Sequence, residues 1–68
     1  MKPELMPLDR LLCWHDWYYD YSDDYSVWKR GQSERDAINA EQRRLISSGL
    51  ATADEITALS DKYRPKNG

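Results

Sequence analysis

The aromatic residues of this 68-residue chain are concentrated in one stretch. All three tryptophans and four of the five tyrosines lie between residues 14 and 28, and there is no phenylalanine. A chain of this length buries only about 60% of the surface that its unfolded form exposes, so its core is small. Because each aromatic ring can bury roughly 150–250 Å², the stretch predicts one small domain, residues 1–68, with an aromatic core.

The cysteine content and the first residues indicate the compartment. The single cysteine, Cys13, cannot form an intrachain disulfide, whereas small secreted domains usually carry several. The opening MKPELMPLDR contains no apolar signal segment. No stretch approaches the eighteen or so apolar residues of a membrane span. We therefore expect a cytoplasmic protein without a membrane segment.

Hydrophobic periodicity predicts a first helix over residues 8–21. At 100° per residue, its apolar side chains cover an arc of roughly 220°, whereas the apolar stripe of a surface helix is nearer 100° wide. Asp9, Asp16 and Asp20 fall together on the other side, within about 40°. Such a helix is either wedged between two others or presents one apolar edge to a partner.

A second helix is predicted over residues 23–48, with Ser22 as its N-cap. Six of its residues share one face of about 100°, namely Val27, Trp28, Gly31, Ile38, Leu45 and Ile46. This single stripe predicts that Trp28 is a core residue. Gly31 and Ser33 also fit a break, since Ser33 and Asp36 resemble a second cap. The constant phase of the stripe favours one long helix, which ends before Gly49.

The third helix, over residues 53–64, has the clearest start signal. Thr52 and Glu55 form a T-x-x-E capping box, and Pro65 ends the segment. An apolar stripe follows the box at Ile56, Leu59 and Tyr63. The ends, MKPE and PKNG, are expected to fray. Together the segments predict an all-α fold, a small three-helix assembly with a long central helix.

The dipeptide His15-Asp16 occurs in the metal sites of phosphohydrolases, but such a site needs further ligands, and the chain has no second histidine. The helical wheel places His15 beside Leu8 and Leu11, which favours a neutral core histidine with locally satisfied nitrogens.

Two other candidates for chemistry also have structural explanations. Asp20, Asp23 and Asp24 lack the ligand spacing of a calcium loop, so we interpret them as capping and solvated residues. Cys13 is two residues from the only histidine, on a different helix face, which is typical of an inert thiol. We predict no metal, no cofactor and no enzymatic activity.

Nucleic acid is an alternative partner. Residues 1–28 carry a net charge of −4 and residues 29–68 one of +2. The basic residues of the second helix are Lys29, Arg30, Arg35, Arg43 and Arg44. They are spread around the helix and interleaved with carboxylates, whereas a phosphate-binding surface needs a stripe. We expect weak or absent binding at physiological salt.

A protein interface is the leading interpretation of the aromatic stretch. Tryptophan and tyrosine are enriched at the hot spots of protein interfaces, and neighbouring aspartates would form a polar rim. The candidate protein-binding residues are Trp14, Trp17, Tyr21, Asp16 and Asp20. Most of these rings are expected to be core, with one edge that is also a binding surface, and the wide apolar arc is also consistent with a homodimer.

The block Trp14-His15-Asp16-Trp17-Tyr18-Tyr19, then Tyr21-Ser22-Asp23-Asp24, then Val27-Trp28 and Arg30-Gly31, resembles a pattern in small uncharacterised proteins of tailed bacteriophages. The resemblance covers less than a third of the chain and implies no activity. It implies that the chain is a phage accessory protein, and such proteins of this size commonly act by binding a host protein. We therefore expect a non-enzymatic accessory protein that binds and modulates a host or phage protein.

Overall fold

The computed structural model describes residues 2–65. These contain four α-helices and two short 3₁₀ segments and, between Lys2 and Pro65, no strand. The helices are α1 (Met6–Trp14), α2 (Tyr25–Arg30), α3 (Gln32–Ser47) and α4 (Ala53–Tyr63), and the 3₁₀ segments are Pro3–Leu5 and Trp17–Tyr21. The predicted all-α class and the long helix are confirmed, but there are four α-helices rather than three.

The core is aliphatic, and the prediction of an aromatic core is wrong. Leu8, Leu12 and Leu45 are fully buried where α1 packs on α3 and α4. Five further residues complete the core, namely Leu5, Ile38, Ala51, Ile56 and Leu59. Leu8 and Leu12 are four residues apart, so they lie on the same side of α1. Of the aromatic residues, Trp17 and Tyr63 pack against this core from its edge.

The first helix ends at Trp14, seven residues before the predicted end. His15 and Asp16 have extended backbones, with ψ angles of 133° and 101°. The Asp16 carboxylate accepts a hydrogen bond from the Tyr18 N–H at 3.0 Å and so caps the 3₁₀ segment. Asp16 is thus a cap, a role that aspartate fills well. The three aspartates of the predicted acidic side therefore do not share one helix.

The predicted helix 23–48 is divided at Gly31 into α2 and α3. A β-carbon at Gly31 would lie 2.8 Å from the Tyr19 Cβ, so the 3₁₀ segment packs directly on this glycine. The N-cap is Asp24 rather than Ser22, since its carboxylate accepts from the Ser26 N–H at 2.9 Å. This hydrogen bonding to Ser26 lowers the pKa of Asp24.

Trp28 is not a core residue. It is 36% exposed, and α2 contains no buried side chain. Tyr25 stacks on Trp28 with ring centroids 5.9 Å apart. The Arg35 guanidinium lies 4.0 Å from the centre of the Trp28 ring, and it donates to the Trp28 carbonyl oxygen at 2.7 Å. The Trp28 ring on the predicted apolar face therefore packs against Arg35 and Tyr25 rather than against the core.

The start of α4 is as predicted. Thr52 and Glu55 form both hydrogen bonds of the capping box, and the helix ends at Tyr63, one residue earlier than expected. Glu55 also forms an ion pair with Lys2 at 2.9 Å, and the hydrogen bond from Lys2 lowers the pKa of the Glu55 carboxyl. This bond anchors the N-terminal segment on α4.

The two ends of the chain differ from the expected frayed segments where they are described. Residues 3–5 form a 3₁₀ turn that buries Leu5, while Met1 and residues 66–68 lie outside the described residues. The Tyr63 hydroxyl donates a hydrogen bond to the Asp9 carboxylate. This bond is the main cause that raises the pKa of Tyr63 to about 12.

Candidate functional site

The exposed side of α1 is largely apolar. Leu8 and Leu12 face the core, and five residues on the opposite side are exposed, namely Met6, Pro7, Arg10, Cys13 and Trp14. Trp14 is 85% exposed. A tryptophan is usually among the most buried residues of a small domain, so an indole that contacts water over most of its surface identifies a candidate interaction site.

A groove runs beside this side of α1, and we call it the α1–α3 groove. Its volume is about 670 Å³. Pro7, Leu11 and Trp14 line it from α1, and Ser33 and Ala37 line it from α3. Arg10, His15 and Glu34 provide its polar groups. An apolar depression with a few polar groups is the usual form of a binding site.

Three ionisable side chains connect the groove with the segment that follows α1. His15 is 5% exposed. Its Nδ1 lies 3.0 Å from a Glu34 oxygen, and its Nε2 lies 2.9 Å from an Asp20 oxygen. A neutral imidazole has one N–H and can donate to only one of these carboxylates, whereas the doubly protonated ring can donate to both. The predicted burial of His15 is confirmed, and both ring nitrogens have local partners as expected.

The second carboxylate oxygen of Asp20 accepts from Arg35 at 2.9 Å. Asp20 therefore joins the 3₁₀ segment to the C-cap of α1 through His15 and to α3 through Arg35. All the polar atoms of this cluster that are buried have hydrogen-bond partners within the described residues. The cluster explains how a segment with no buried residue of its own, Trp17–Tyr21, is held in place.

The five predicted protein-binding residues occupy different environments. Trp14 lies on the groove and is exposed, and Tyr21 is exposed outside it. Trp17 is half-buried, with its ring centre 5.1 Å from that of His15. Asp16 caps the 3₁₀ segment, and Asp20 is held between His15 and Arg35. Only Trp14 of the five lines the groove.

The rest of the groove does not follow from the sequence. Its α3 wall, Ser33 and Ala37, carries no chemical signal, because small residues are common on exposed helix faces. Arg10 was assigned no role. A helical wheel restricted to residues 6–14 would have placed Arg10 beside Trp14 and opposite Leu12, but the end of the helix at Trp14 was not anticipated.

A second cavity, which shares His15 with the groove, lies between α3 and α4 and is bounded by Trp17. Its volume is about 240 Å³, and Leu12 and Ile38 line it together with polar residues that include Gln42 and Ser60. Ser60 is buried, and its hydroxyl lies 3.5 Å from the Gln42 amide nitrogen. Across residues 2–65, no three side chains of the types that bind metals are grouped as a metal site.

No helix in the described part of the chain is long and apolar enough to cross a membrane. Comparisons of the chain with models of protein families, with curated protein sequences and with solved structures gave no match.

Proposed function

We propose that this chain is a non-enzymatic protein-interaction module, a phage accessory protein that acts in the host cytoplasm by binding and modulating a host or phage protein. The observation that carries the proposal is Trp14, which is 85% exposed on the edge of an apolar groove. An indole left in water contributes little to folding, whereas its burial against a partner would supply hydrophobic free energy to binding.

The α1–α3 groove is the proposed contact surface. Of the five protein-binding residues suggested by the sequence, it retains Trp14 alone. Trp14 is the anchor, and Met6, Pro7 and Leu11 extend the apolar surface along α1. Trp17 and Asp20 contribute through the fold, since both hold the segment next to the groove. Tyr21 and Asp16 remain at the surface nearby in sequence, as a rim to be tested separately.

The ionisable residues also favour binding over catalysis. His15, the only histidine, has both ring nitrogens engaged by carboxylates. A general acid or base must have a nitrogen within hydrogen-bond reach of the substrate. Because both nitrogens are occupied in the interior of the cluster, His15 fits a structural role.

The test is affinity capture from host lysate with the tagged chain, followed by direct binding measurements on the purified partner. Trp14→Ala should weaken binding by at least about 30-fold, as expected for a buried aromatic hot spot of more than about 2 kcal/mol. Tyr25→Ala is the matched control, because Tyr25 is exposed to a similar degree on α2. A partner that binds the two variants equally well would contradict the proposed surface.

Nucleic-acid binding is the alternative function. Lys29 and Arg30 are exposed on α2 next to the stacked Tyr25 and Trp28, and stacking on aromatic rings is one way to bind single strands. Arg35, however, already lies against the Trp28 ring. Titration of labelled DNA and RNA at about 150 mM salt distinguishes the two functions, and submicromolar binding would favour the alternative.

A further inference from the structure

We propose that the partner inserts a single amphipathic helix into the α1–α3 groove, with apolar side chains against Trp14 and a carboxylate side chain opposite Arg10. This inference rests on the proposed function and specifies the chemistry of its partner. Three properties of the groove support it: its walls, its charge and its size.

The walls of the groove are two helices with side chains of different sizes. The α1 wall presents Leu11 and Trp14, and the α3 wall presents Ser33 and Ala37. Ser33 and Ala37 are four residues apart and exposed, so they lie along one line of α3. Small side chains on one wall allow the backbone of a third helix to approach, while the large ones on the other wall fill the spaces between its side chains.

The charge of the groove favours an acidic partner residue. Arg10 is the one charged residue among the five exposed residues of α1, and no carboxylate of residues 2–65 lies within ion-pair distance of it. Glu34, on the other wall, already bonds to His15 at 3.0 Å. Arg10 is therefore the charge that a partner can neutralise, and a carboxylate is its natural counterpart.

The size of the surface distinguishes a helix from a second copy of the chain. A stable interface between two proteins buries about 800 Å² on each, or about 20–30 residues. The groove and the exposed side of α1 comprise ten residues, since Met6 and Cys13 add to the eight that line the groove. The nine-residue α1 is about 13 Å long, which matches two to three turns of a bound helix with anchors at i, i+3 or i+4, and i+7.

The inference can be tested by selecting binders from two displayed libraries. One presents a helical scaffold with a single randomised face, and the other presents linear peptides that contain proline. We expect enriched clones from the helical library, with apolar residues at the three anchor spacings and an aspartate or glutamate beside them. Enrichment of linear peptides alone, or of helices without an acidic residue, would overturn the inference.

Charge reversal gives the sharper measurement on a selected helical clone. Arg10→Glu should weaken binding by about tenfold or more, and changing the acidic residue of the clone to arginine should restore it. Arg43→Glu, at an exposed position on α3 outside the groove, is the control and should have no effect. A clone that is insensitive to Arg10→Glu, or that is not rescued by the reciprocal change, overturns the inference.

Two further measurements separate this inference from the proposed function. A captured natural partner that depends on Trp14 but is not displaced by the helical clone leaves the proposed function intact and overturns the helix. Sedimentation of the chain alone tests whether a second copy of the chain occupies the groove instead. A dimer that Trp14→Ala dissociates would show that the groove is covered by a second copy, and it would overturn the helical partner.

Discussion

Replacing Gly31 by alanine tests the division of the long predicted helix, because the two architectures predict opposite signs. In an unbroken helix, glycine to alanine stabilises by about 0.5–1 kcal/mol through backbone entropy. In the observed structure the new β-carbon would lie 2.8 Å from the Cβ of Tyr19 and 2.8 Å from a guanidinium nitrogen of Arg35. The Arg35 side chain can move, but the Tyr19 Cβ is fixed to the backbone, so the 3₁₀ segment must shift.

The expected net change is destabilising. Overpacking of this kind costs about 1–3 kcal/mol, and the gain in helix propensity offsets up to about 1 kcal/mol of it. A net loss of about 1–2 kcal/mol remains, which is a large share of the total stability of a chain this short. It should lower the Tm by roughly 4–15 °C.

Thermal and urea denaturation of Gly31→Ala give the sign, and two control variants identify the cause. Ser33→Ala lies at an exposed position of the same helix and should be nearly neutral. Gly49→Ala meets nothing within 4 Å, but Gly49 has a φ of 73°, so its loss arises from backbone strain alone. Only Gly31→Ala should shift the amide resonances of residues 17–21. A higher Tm for Gly31→Ala would refute the observed packing.

Three further predictions concern separate parts of the fold. Trp17→Ala should lower the free energy of unfolding by about 2–3 kcal/mol, because the half-buried ring packs on the core. Trp28→Ala should lower it by about 1 kcal/mol, because only its exposed stacking contacts are lost. Denaturant midpoints that ranked the two variants the other way would place Trp28 in the core. Thr52→Ala should lose about 1 kcal/mol with the capping box, while Thr57→Ala, in the exposed interior of α4, should lose nothing measurable by the same assay. Ultraviolet titration should show one tyrosine with a pKa of about 12, absent in Tyr63→Phe. That pKa is above the ordinary value of 10.0, so the stability that the Tyr63–Asp9 hydrogen bond contributes is complete below about pH 10 and is lost as the pH rises towards 12. If the stability of Tyr63→Phe fell in parallel with that of the wild type over this range, the linkage would be contradicted.

Local sequence signals predicted which parts of the chain are helical more successfully than where each helix begins and ends. The capping box at Thr52 involves residues three positions apart, so the sequence contains the whole interaction. The end of α1 depends on tertiary contacts of His15, whose partners Asp20 and Glu34 are 5 and 19 residues away. The break at Gly31 likewise depends on Tyr19. Periodicity within one helix cannot report such contacts.

The candidate site illustrates the same difference. Residue type is what makes Trp14 a predicted binding residue, and the structure leaves its side chain exposed. The other wall of the groove belongs to α3, and only the packing of α1 on α3 brings Ser33 and Ala37 beside Trp14. The aromatic residues were also assigned to the core on size alone, whereas the leucine spacing of α1 decided which side was buried.

The absence of buried side chains from both the Trp17–Tyr21 segment and α2 has a consequence for motion. Trp17 packs against the aliphatic core, but residues 18–30 are attached only by the His15 cluster, by the contact of Gly31 with Tyr19 and by Arg35 on Trp28. Local opening of this segment therefore exposes little apolar surface and should cost less free energy than global unfolding. Its amides should exchange hydrogen before those of α3 and α4, and chymotrypsin should cleave first at its exposed tyrosines. In that opened form α1 would stay packed on α3 and α4 while the segment that follows it detaches.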